Sequence, residues 1–121
     1  ITRTLDHSVP QMLVNTKQIR EKEIRGHEDR SRLLRVVGSP WSNRQAYDIA
    51  DGIELVKSEA FLLCSDGFWE QITEKEMVHC LKKAKNVDEW LDSMVDIVNQ
   101  NGKGKDMDNN SAIAVWVNPV E

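Results

Sequence analysis

The stretch AFLLCSDGFWEQI, residues 60–72, changes abruptly from apolar to polar character. Five apolar residues come first, and Ser65, Asp66 and Gly67 separate them from two aromatic residues. An uninterrupted apolar run of this length is typical of a buried β-strand. The Asp-Gly pair that follows suits a tight turn, but a carboxylate at the end of a strand would also suit a metal ion. The dipeptide alone leaves both interpretations open.

A second aspartate precedes another apolar strand pattern. The segment DNNSAIAVWV begins at Asp108, and its small and β-branched residues predict a strand that starts at Ser111. If this strand pairs antiparallel with the strand ending at Ser65, the end of one lies beside the start of the other. Asp66 and Asp108 would then meet at one edge of the sheet. Because Mg²⁺ and Mn²⁺ prefer oxygen ligands, this edge is a candidate site for a divalent cation.

Two other interpretations of Asp108 need no such site. The Asp-Asn-Asn run that begins there is typical of an ordinary loop. The spacing of Asp106, Asp108 and Asn110 also imitates the start of an EF-hand calcium loop. The calcium interpretation fails, because Ser111 stands where that loop needs glycine and Val117 where it needs a bidentate glutamate.

Two amphipathic helices are predicted between these strands. Thr73 with Glu76 has the spacing of a capping box, which marks a helix N-terminus. Asn86 with Glu89 repeats that spacing. Each cap precedes an apolar stripe at helical spacing, comprising Met77, Val78, Leu81 and Ala84 in the first helix and Val87, Trp90, Leu91, Met94, Val95 and Val98 in the second. One-faced helices beside antiparallel strands predict an α+β fold in which the helices pack over the sheet.

The N-terminal part of the chain predicts one helix and is otherwise less regular. Ser8 and Gln11 have capping-box spacing, and Pro10 lies in the first turn. The apolar residues that we expect on one face of this helix are Val9, Met12 and Leu13. Residues 20–32 are mostly charged, as on a solvated surface, and residues 32–38 would form either a short strand or a helix end.

Two consecutive strands are expected in the middle of the chain. The first would run from about Asp48 to Val56 and the second from Glu59 to Ser65, with Lys57 and Ser58 as the turn between them. A polar loop is expected over residues 101–110, before the last strand, and Trp116 is expected to belong to the core.

The composition fits one small domain of 121 residues, with 40% apolar and 30% charged residues. The 16 basic and 20 acidic residues give a net charge of −4, so charge gives no reason to expect binding to nucleic acid or to anionic lipid. The longest apolar run is too short to span a bilayer, so we expect no membrane association. Cys64 and Cys80 fall in strand and helix patterns, so both are expected in the core of a protein from a reducing, cytoplasmic compartment.

Several segments of the chain resemble those of one enzyme family. AFLLCSDGFWEQITEKEM is similar to the strand, acid, glycine and aromatic segment of the PP2C (PPM-type) metal-dependent serine/threonine protein phosphatases. DNNSAIAVWV is similar to the closing Asp-Asn-x-Ser/Thr strand of that family. TRTLDHSVPQMLV resembles its Thr-x-Asp-His-Ser segment, and HEDRSRLLRVVGS its His-x-x-Arg-x-x-Leu-x-x-x-Gly stretch. The segments follow the family's order and together cover nearly the whole chain.

The resemblance implies a fold and a chemistry. In this family, two antiparallel sheets form a sandwich between helical layers, and a centre of two Mg²⁺ or Mn²⁺ ions activates a water that attacks phosphoserine or phosphothreonine. Asp66 and Asp108 would be metal ligands in this chain. Gly67 would let the chain turn sharply beside the ion, and Phe68 and Trp69 would anchor that turn in the core.

The chain departs from the family in its extent. The family's Asp-Gly-x-Gly-Gly motif, which supplies another metal aspartate, is absent, and so is its phosphate-contacting arginine. We therefore expect residues 1–121 to be the C-terminal part of a phosphatase domain, about half of the αββα sandwich, whose partners are the missing N-terminal half and a phosphoprotein substrate. With only two carboxylates, this fragment should bind metal weakly or not at all and be inactive alone.

Residues 14–35 correspond to the flap beside the active site in the family. His27, Arg30, Arg32 and Arg35 could contact substrate there, although a run of charges is more often simply solvated. His7 is expected to be a packing or capping residue rather than a ligand.

Other functions stay open at this point. The chain could be a non-catalytic pseudophosphatase, a regulatory module that binds other proteins with the same fold, or a sporulation-type relative. Half of a sandwich would also expose apolar sheet surface, so we expect the fragment to form a homodimer, to exchange a segment or to repack.

Overall fold

The computed structural model of the chain describes residues 1–40, 47–55 and 59–117. The chain divides into two compact units, unit 1 (Ile1–Gly52) and unit 2 (Ile53–Glu121). Within the described residues, no helix has both the length and the apolar character needed to cross a membrane. Helices and antiparallel strands are both present, so the predicted α+β fold class is confirmed.

Unit 1 contains the predicted N-terminal helix, α1 (Val9–Asn15), and a single 3₁₀ turn, Glu21–Glu23. The helix begins as predicted, because the Ser8 hydroxyl accepts a hydrogen bond from the Gln11 amide at 3.3 Å and Pro10 occupies the first turn. The predicted apolar face is wrong in part. Met12 is 41% exposed, whereas Pro10 and Gln11 are buried.

The burial of Gln11 has a physical reason, because neighbouring polar groups satisfy its side chain. Its Oε1 accepts a hydrogen bond from Arg3, and its Nε2 donates to Asn15. A buried amide with both ends hydrogen-bonded carries little desolvation cost.

Residues 32–38 are neither a strand nor a helix end. Ser8 and Leu33 form an isolated antiparallel bridge, and the amide of Val9 donates to the carbonyl of Arg32 at 2.9 Å. The segment therefore lies against the start of α1. Its apolar side chains are exposed, namely Leu33, Leu34, Val36 and Val37.

The strand predicted from Asp48 to Val56 is wrong over its described part. Residues 47–55 are irregular and exposed, because they have no strand partner within the described chain and an unpaired strand leaves its backbone groups to water. Val56 and the predicted turn at Lys57 and Ser58 lie outside the described residues.

Unit 2 contains the other strands and helices. The strands β1 (Glu59–Cys64) and β2 (Ala112–Val117) form an antiparallel pair, in register from Glu59 opposite Val117 to Cys64 opposite Ala112. The helices between them are α2 (Asp66–Trp69), α3 (Glu74–Lys83) and α4 (Val87–Gly102). The two amphipathic helices and both flanking strands are therefore confirmed.

The core of unit 2 lies between α3, α4 and one face of the sheet. Its buried residues are Phe68, Ile72, Cys80, Trp90, Met94 and Val98, and the strands contribute Ala60, Leu62, Ala112 and Ala114. The indole of Trp90 donates to the carbonyl of Met77 at 3.1 Å, which ties the two helices together. The predicted stripes are thus confirmed as core residues except for Val78, which is only partly buried and lies outside the cluster, and Ile97 is a member that the stripes did not include.

The caps of these helices differ in detail. Thr73 and Glu76 form the complete capping box. The side chain of Asn86 accepts a hydrogen bond from the Glu89 amide at 2.9 Å. The Glu89 carboxylate accepts a hydrogen bond from the amide of Lys85 and not from that of Asn86. The second box is therefore only half formed.

The other face of the sheet is open to solvent. Side chains of a strand alternate between faces, and Leu63 and Ile113 are 60% and 63% exposed. Val115 on the same face is 41% exposed. The apolar surface expected for half of a sandwich is therefore present.

Two further expectations need correction in unit 2. Cys64 is exposed, since it lies at the last position of β1, whereas Cys80 is buried as predicted. Trp116 is only partly buried. Burial raises the pKa of the Cys80 thiol above its ordinary range.

Candidate metal centre

Asp66 lies where β1 ends and α2 begins. Ser65 is the extended residue before the helix, with φ −75° and ψ 165°, and Asp66 is the first helical residue. The carboxylate is exposed, and its Oδ1 accepts a hydrogen bond from the Gly67 amide at 2.8 Å. A carboxylate has a second oxygen, so the side chain can still bind a cation.

Asp108 lies in the loop before β2 and has the same local geometry. Its Oδ1 accepts a hydrogen bond from the amide of Asn109 at 2.8 Å, and the side chain is exposed. Both carboxylates are thus oriented by the next amide along the chain and remain accessible to solvent.

The strand pairing continues one step beyond the ladder, at Ser65 and Ser111. The amide of Ser65 donates to the carbonyl of Ser111 at 2.9 Å, and the amide of Ser111 donates to the Ser65 hydroxyl at 3.0 Å. These bonds hold the end of β1 against the residues that follow Asp108. Asp66 and Asp108 therefore lie at one edge of the sheet, as the antiparallel arrangement predicts.

Gly67 brings the two segments into close contact. A Cβ built on Gly67 would overlap the carbonyl oxygen of Asn109 and would lie 3.1 Å from that of Asp108. The expected reason for this glycine is wrong, since Gly67 is the second residue of α2 and its φ is not positive. Glycine is needed there because no side chain fits between the two backbones.

The aromatic residues after Gly67 differ in their burial. Phe68 is only 1% exposed and belongs to the core, as expected. Trp69 is half-buried, and its indole donates to Glu74 at 3.3 Å. Phe68 is therefore the anchor that fixes the start of α2 beneath Asp66.

The two carboxylates supply the oxygen donors and the negative charge that a divalent cation prefers. Two side chains are nevertheless too few to complete its ligand set. Mg²⁺ takes six oxygen ligands in near-octahedral geometry and commonly keeps several waters. In residues 1–40, 47–55 and 59–117, no group of three or more His, Cys, Asp or Glu side chains is arranged to hold a metal. Asp66 and Asp108 thus fit as part of a ligand set, and their role as metal ligands stays a prediction.

The residues predicted to form a flap belong to unit 1. His27 uses its Nδ1 to accept from the Asp29 amide at 3.0 Å, and Arg32 forms an ion pair with Asp29 at 3.4 Å. Arg30 is exposed. Substrate contact by His27, Arg30 and Arg32 stays a prediction.

Unit 1 also contains a polar cluster that the sequence did not indicate. His7 Nε2 lies 2.6 Å from Asp48 Oδ2, and Arg35 donates to Asp48 Oδ1 at 3.2 Å. The hydrogen bond from His7 is the main cause that lowers the pKa of Asp48. His7 is thus a partner of a carboxylate, and the long sequence separation of the three residues left no pattern to detect.

Comparison with known proteins identifies relatives of the chain. It is 29% identical over 99 residues to the serine/threonine phosphatase stp of Listeria monocytogenes, and equally to that of Listeria innocua. The chain is homologous to these serine/threonine phosphatases. The match covers 82% of the chain but 38% of each phosphatase, so the chain spans less than half the length of these relatives. No family model matches the chain.

The fold is shared with a solved serine/threonine phosphatase. The S. agalactiae serine/threonine phosphatase matches 97% of the chain with a TM-score of 0.69 at 22% identity. The match covers 46% of that phosphatase. The resemblance to serine/threonine phosphatases that the motifs indicated is therefore confirmed, and the chain spans less than half of the proteins that it matches.

Proposed function

We propose that this chain forms part of a PP2C-type, Mg²⁺- or Mn²⁺-dependent serine/threonine phosphatase and supplies Asp66 and Asp108 as metal ligands. The observation that carries the proposal is the pairing of Ser65 with Ser111, which extends the β1–β2 register and brings both acids to one sheet edge. Homology to serine/threonine phosphatases supports the reaction class.

The chemistry of the proposed reaction is hydrolysis of phosphoserine or phosphothreonine. Bound divalent cations supply a water of lowered pKa and neutralise phosphate charge. The chain's own contribution is two carboxylates that bind through oxygen. Gly67 allows the backbones of the two acid-bearing segments to touch, and Phe68 fixes one of them to the core.

The chain alone should be inactive and bind metal weakly. Two carboxylates leave most positions of an octahedral ion to water, so they hold it only weakly. The remaining ligands would come from the other half of the domain. The proposed substrates are phosphoproteins, and the proposed location is the cytoplasm.

Mn²⁺ titration of the chain, followed by the electron paramagnetic resonance of free Mn²⁺, tests the site. We expect weak binding that is lost in Asp66→Asn. The matched control is Asp92→Asn, which removes the same charge from an exposed position on α4 and should leave the affinity unchanged. Submicromolar affinity that survives Asp66→Asn would refute the assignment.

The activity is tested in a full-length phosphatase that contains this chain. Asp108→Asn should reduce hydrolysis of a phosphothreonine peptide by orders of magnitude, since it removes a charged ligand of the metal centre. Turnover equal to that of the wild-type enzyme would remove Asp108 from the mechanism.

A second candidate function is a non-catalytic module that binds other proteins. The exposed apolar sheet face at Leu63, Ile113 and Val115 favours it, because such surfaces commonly mark interaction sites. The same face would serve a homodimer or a segment exchange. Size-exclusion chromatography with light scattering separates these cases, and a clean monomer at high concentration would contradict self-association.

A further inference from the structure

The loop that carries Asp108 begins with a tight turn at the end of α4. The amide of Lys105 donates to the carbonyl of Gly102 at 3.0 Å. Lys103 has φ −61° and ψ 126°, and Gly104 has φ +78°. These values match a type II turn, whose third position needs a positive φ and therefore glycine. The turn sends the chain back toward the last residue of the helix.

Met107 occupies the space that a side chain at Gly102 would fill. A Cβ built on Gly102 would overlap the Met107 sulfur and would lie 3.3 Å from its Cγ and Cε. Gly102 is buried and its φ is not positive, so only the space that Met107 fills opposes a side chain there, and a new methyl group would require the Met107 side chain to shift. Met107 also packs against the buried core of unit 2. The thioether is thus held between the end of α4 and the core.

Asp108 therefore stands between two fixed neighbours. Met107 before it is packed on Gly102, and Asn109 after it has its carbonyl against Gly67. Both residues adjacent to Asp108 therefore contact another segment of unit 2, and each contact is made at a glycine, where the absence of a side chain leaves the space.

Hydrogen bonds join the end of α4 and the loop after it to the segment that carries Asp66. The side chain of Asn101 donates to the carbonyl of Gln71 at 2.8 Å, and the Lys105 ammonium reaches Gln71 Oε1 at 3.4 Å. Gln71 follows α2, which begins with Asp66. The two acid-bearing segments are thus connected at their far ends as well as at Ser65 and Ser111.

We propose that Gly102 and Met107 form an anchor that positions Asp108 for binding a divalent cation together with Asp66. The part of this inference that concerns cation binding rests on the proposed function. The part that concerns anchoring of the loop is independent of it. Neither residue is a ligand, since Mg²⁺ and Mn²⁺ select oxygen over a soft thioether. Residues that orient a metal ligand typically change metal affinity by about tenfold or more when they are replaced.

Two measurements on the whole chain test the anchor. Hydrogen exchange of residues 103–111 reports the order of the loop, and Mn²⁺ titration reports the site. Gly102→Ala should speed exchange and weaken Mn²⁺ binding about tenfold. Gly102→Ala combined with Met107→Ala should weaken it by less than the two single changes together, because the smaller residue leaves room for the new methyl group. Met107→Leu, which keeps the volume, should retain most of the affinity.

Two control variants separate anchoring from general damage. Gly26→Ala adds a methyl group where nothing lies within 4 Å, so neither measurement should change. Met77→Ala removes a methionine that packs on the same core from α3, so it should lower the melting temperature without speeding exchange in residues 103–111. Circular dichroism confirms folding of each variant, and Met107→Ala carries the test if Gly102→Ala does not fold.

The outcomes are distinguishable. Unchanged exchange in a folded Gly102→Ala, or in Met107→Ala if that variant carries the test, overturns the anchor. Faster exchange with unchanged Mn²⁺ affinity, in a chain whose binding is lost in Asp66→Asn, overturns the positioning role. If the wild-type chain binds no Mn²⁺, the positioning role is overturned for this chain, and the exchange data still decide whether the anchor exists.

Discussion

Unit 1 and unit 2 differ in the kind of internal contact that stabilises each of them. Unit 2 has a continuous buried cluster that includes Phe68, Trp90 and Met94. In unit 1 the buried residues include the polar Ser8 and Gln11, and side-chain bonds such as the one between His7 and Asp48 connect distant segments. Apolar packing therefore stabilises unit 2, whereas polar contacts contribute much of the stability of unit 1.

The difference matters because the two kinds of contact respond to different conditions. Burial of an apolar side chain contributes roughly 1.5–3 kcal/mol and is not weakened by ionic screening, whereas an exposed ion pair contributes about 0–1 kcal/mol and is screened by salt. The candidate metal centre lies in the unit with the apolar core. Its geometry should therefore survive changes of pH and salt that loosen unit 1.

The largest effect should come from Phe68→Ala. The side chain is fully buried beneath the start of α2, so its loss should lower the free energy of unfolding of unit 2 by about 3–5 kcal/mol. Ile24→Ala in unit 1 is the matched comparison, and because Ile24 lies outside the core cluster that the described residues form, we expect about 2 kcal/mol or less. Urea unfolding of both variants measures the difference, and equal losses would contradict the contrast between the units.

A smaller effect is expected from Gly67→Ala. The new methyl group would clash with the Asn109 carbonyl, and overpacking of this kind costs about 1–3 kcal/mol. Gly26→Ala, in open space in unit 1, should be neutral or stabilising by up to about 1 kcal/mol. Thermal unfolding compares the two. Stability of Gly67→Ala equal to that of the parent chain would show that the two segments are not in close contact.

Loss of a helix cap should cost less again. Thr73→Ala removes both hydroxyl bonds of the capping box at α3 and should lower stability by about 1 kcal/mol. Thr73→Ser keeps the hydroxyl and serves as the control. Denaturant unfolding distinguishes them, and an equal loss in both variants would show that the cap is not the cause.

The smallest effect concerns the pH response of unit 1. The hydrogen bond from His7 lowers the pKa of Asp48 below its ordinary value of 3.8. A lowered carboxyl pKa stabilises the folded form above that ordinary value, and the contribution is lost as the pH falls from 3.8 through the lowered pKa.

Carbon-detected NMR titration of the Asp48 carboxyl tests the contact. In His7→Ala the pKa of Asp48 should move up toward 3.8, because the main cause of the shift is removed. His27→Ala, at a histidine whose Nδ1 accepts from the Asp29 amide instead, should leave it unchanged. An unaltered titration in His7→Ala would show that the pair does not form in solution.

Local patterns predicted much of unit 2. The capping box at Thr73 and the stripe through Trp90, Met94 and Val98 identified α3 and α4, because caps and helical periodicity depend on residues only three or four apart. The same patterns failed for residues 47–55, whose apolar side chains suggested a strand. A strand needs a partner, and local sequence cannot show whether one is present.

The sequence predicted where the candidate site lies but not the hydrogen bonds that hold its two segments together. Both strands were predicted, and the position of Asp66 and Asp108 at one edge followed once antiparallel pairing was assumed, because such pairing puts the end of one strand beside the start of the other. The hydrogen bonds between Ser65 and Ser111 left no such signal. Neither did the exposure of Cys64, because both depend on how the strands end in three dimensions.

The sequence by itself thus determined the helices and strands of unit 2 and the resemblance to serine/threonine phosphatases, because each leaves a pattern in nearby residues or a recognisable motif. Only the tertiary structure decided that the two strands pair and bring the acids to one edge, why no side chain fits at Gly67, and which residue His7 meets. Those features arise where segments far apart in the chain come within van der Waals or hydrogen-bond distance, and the order of residues does not record such distances.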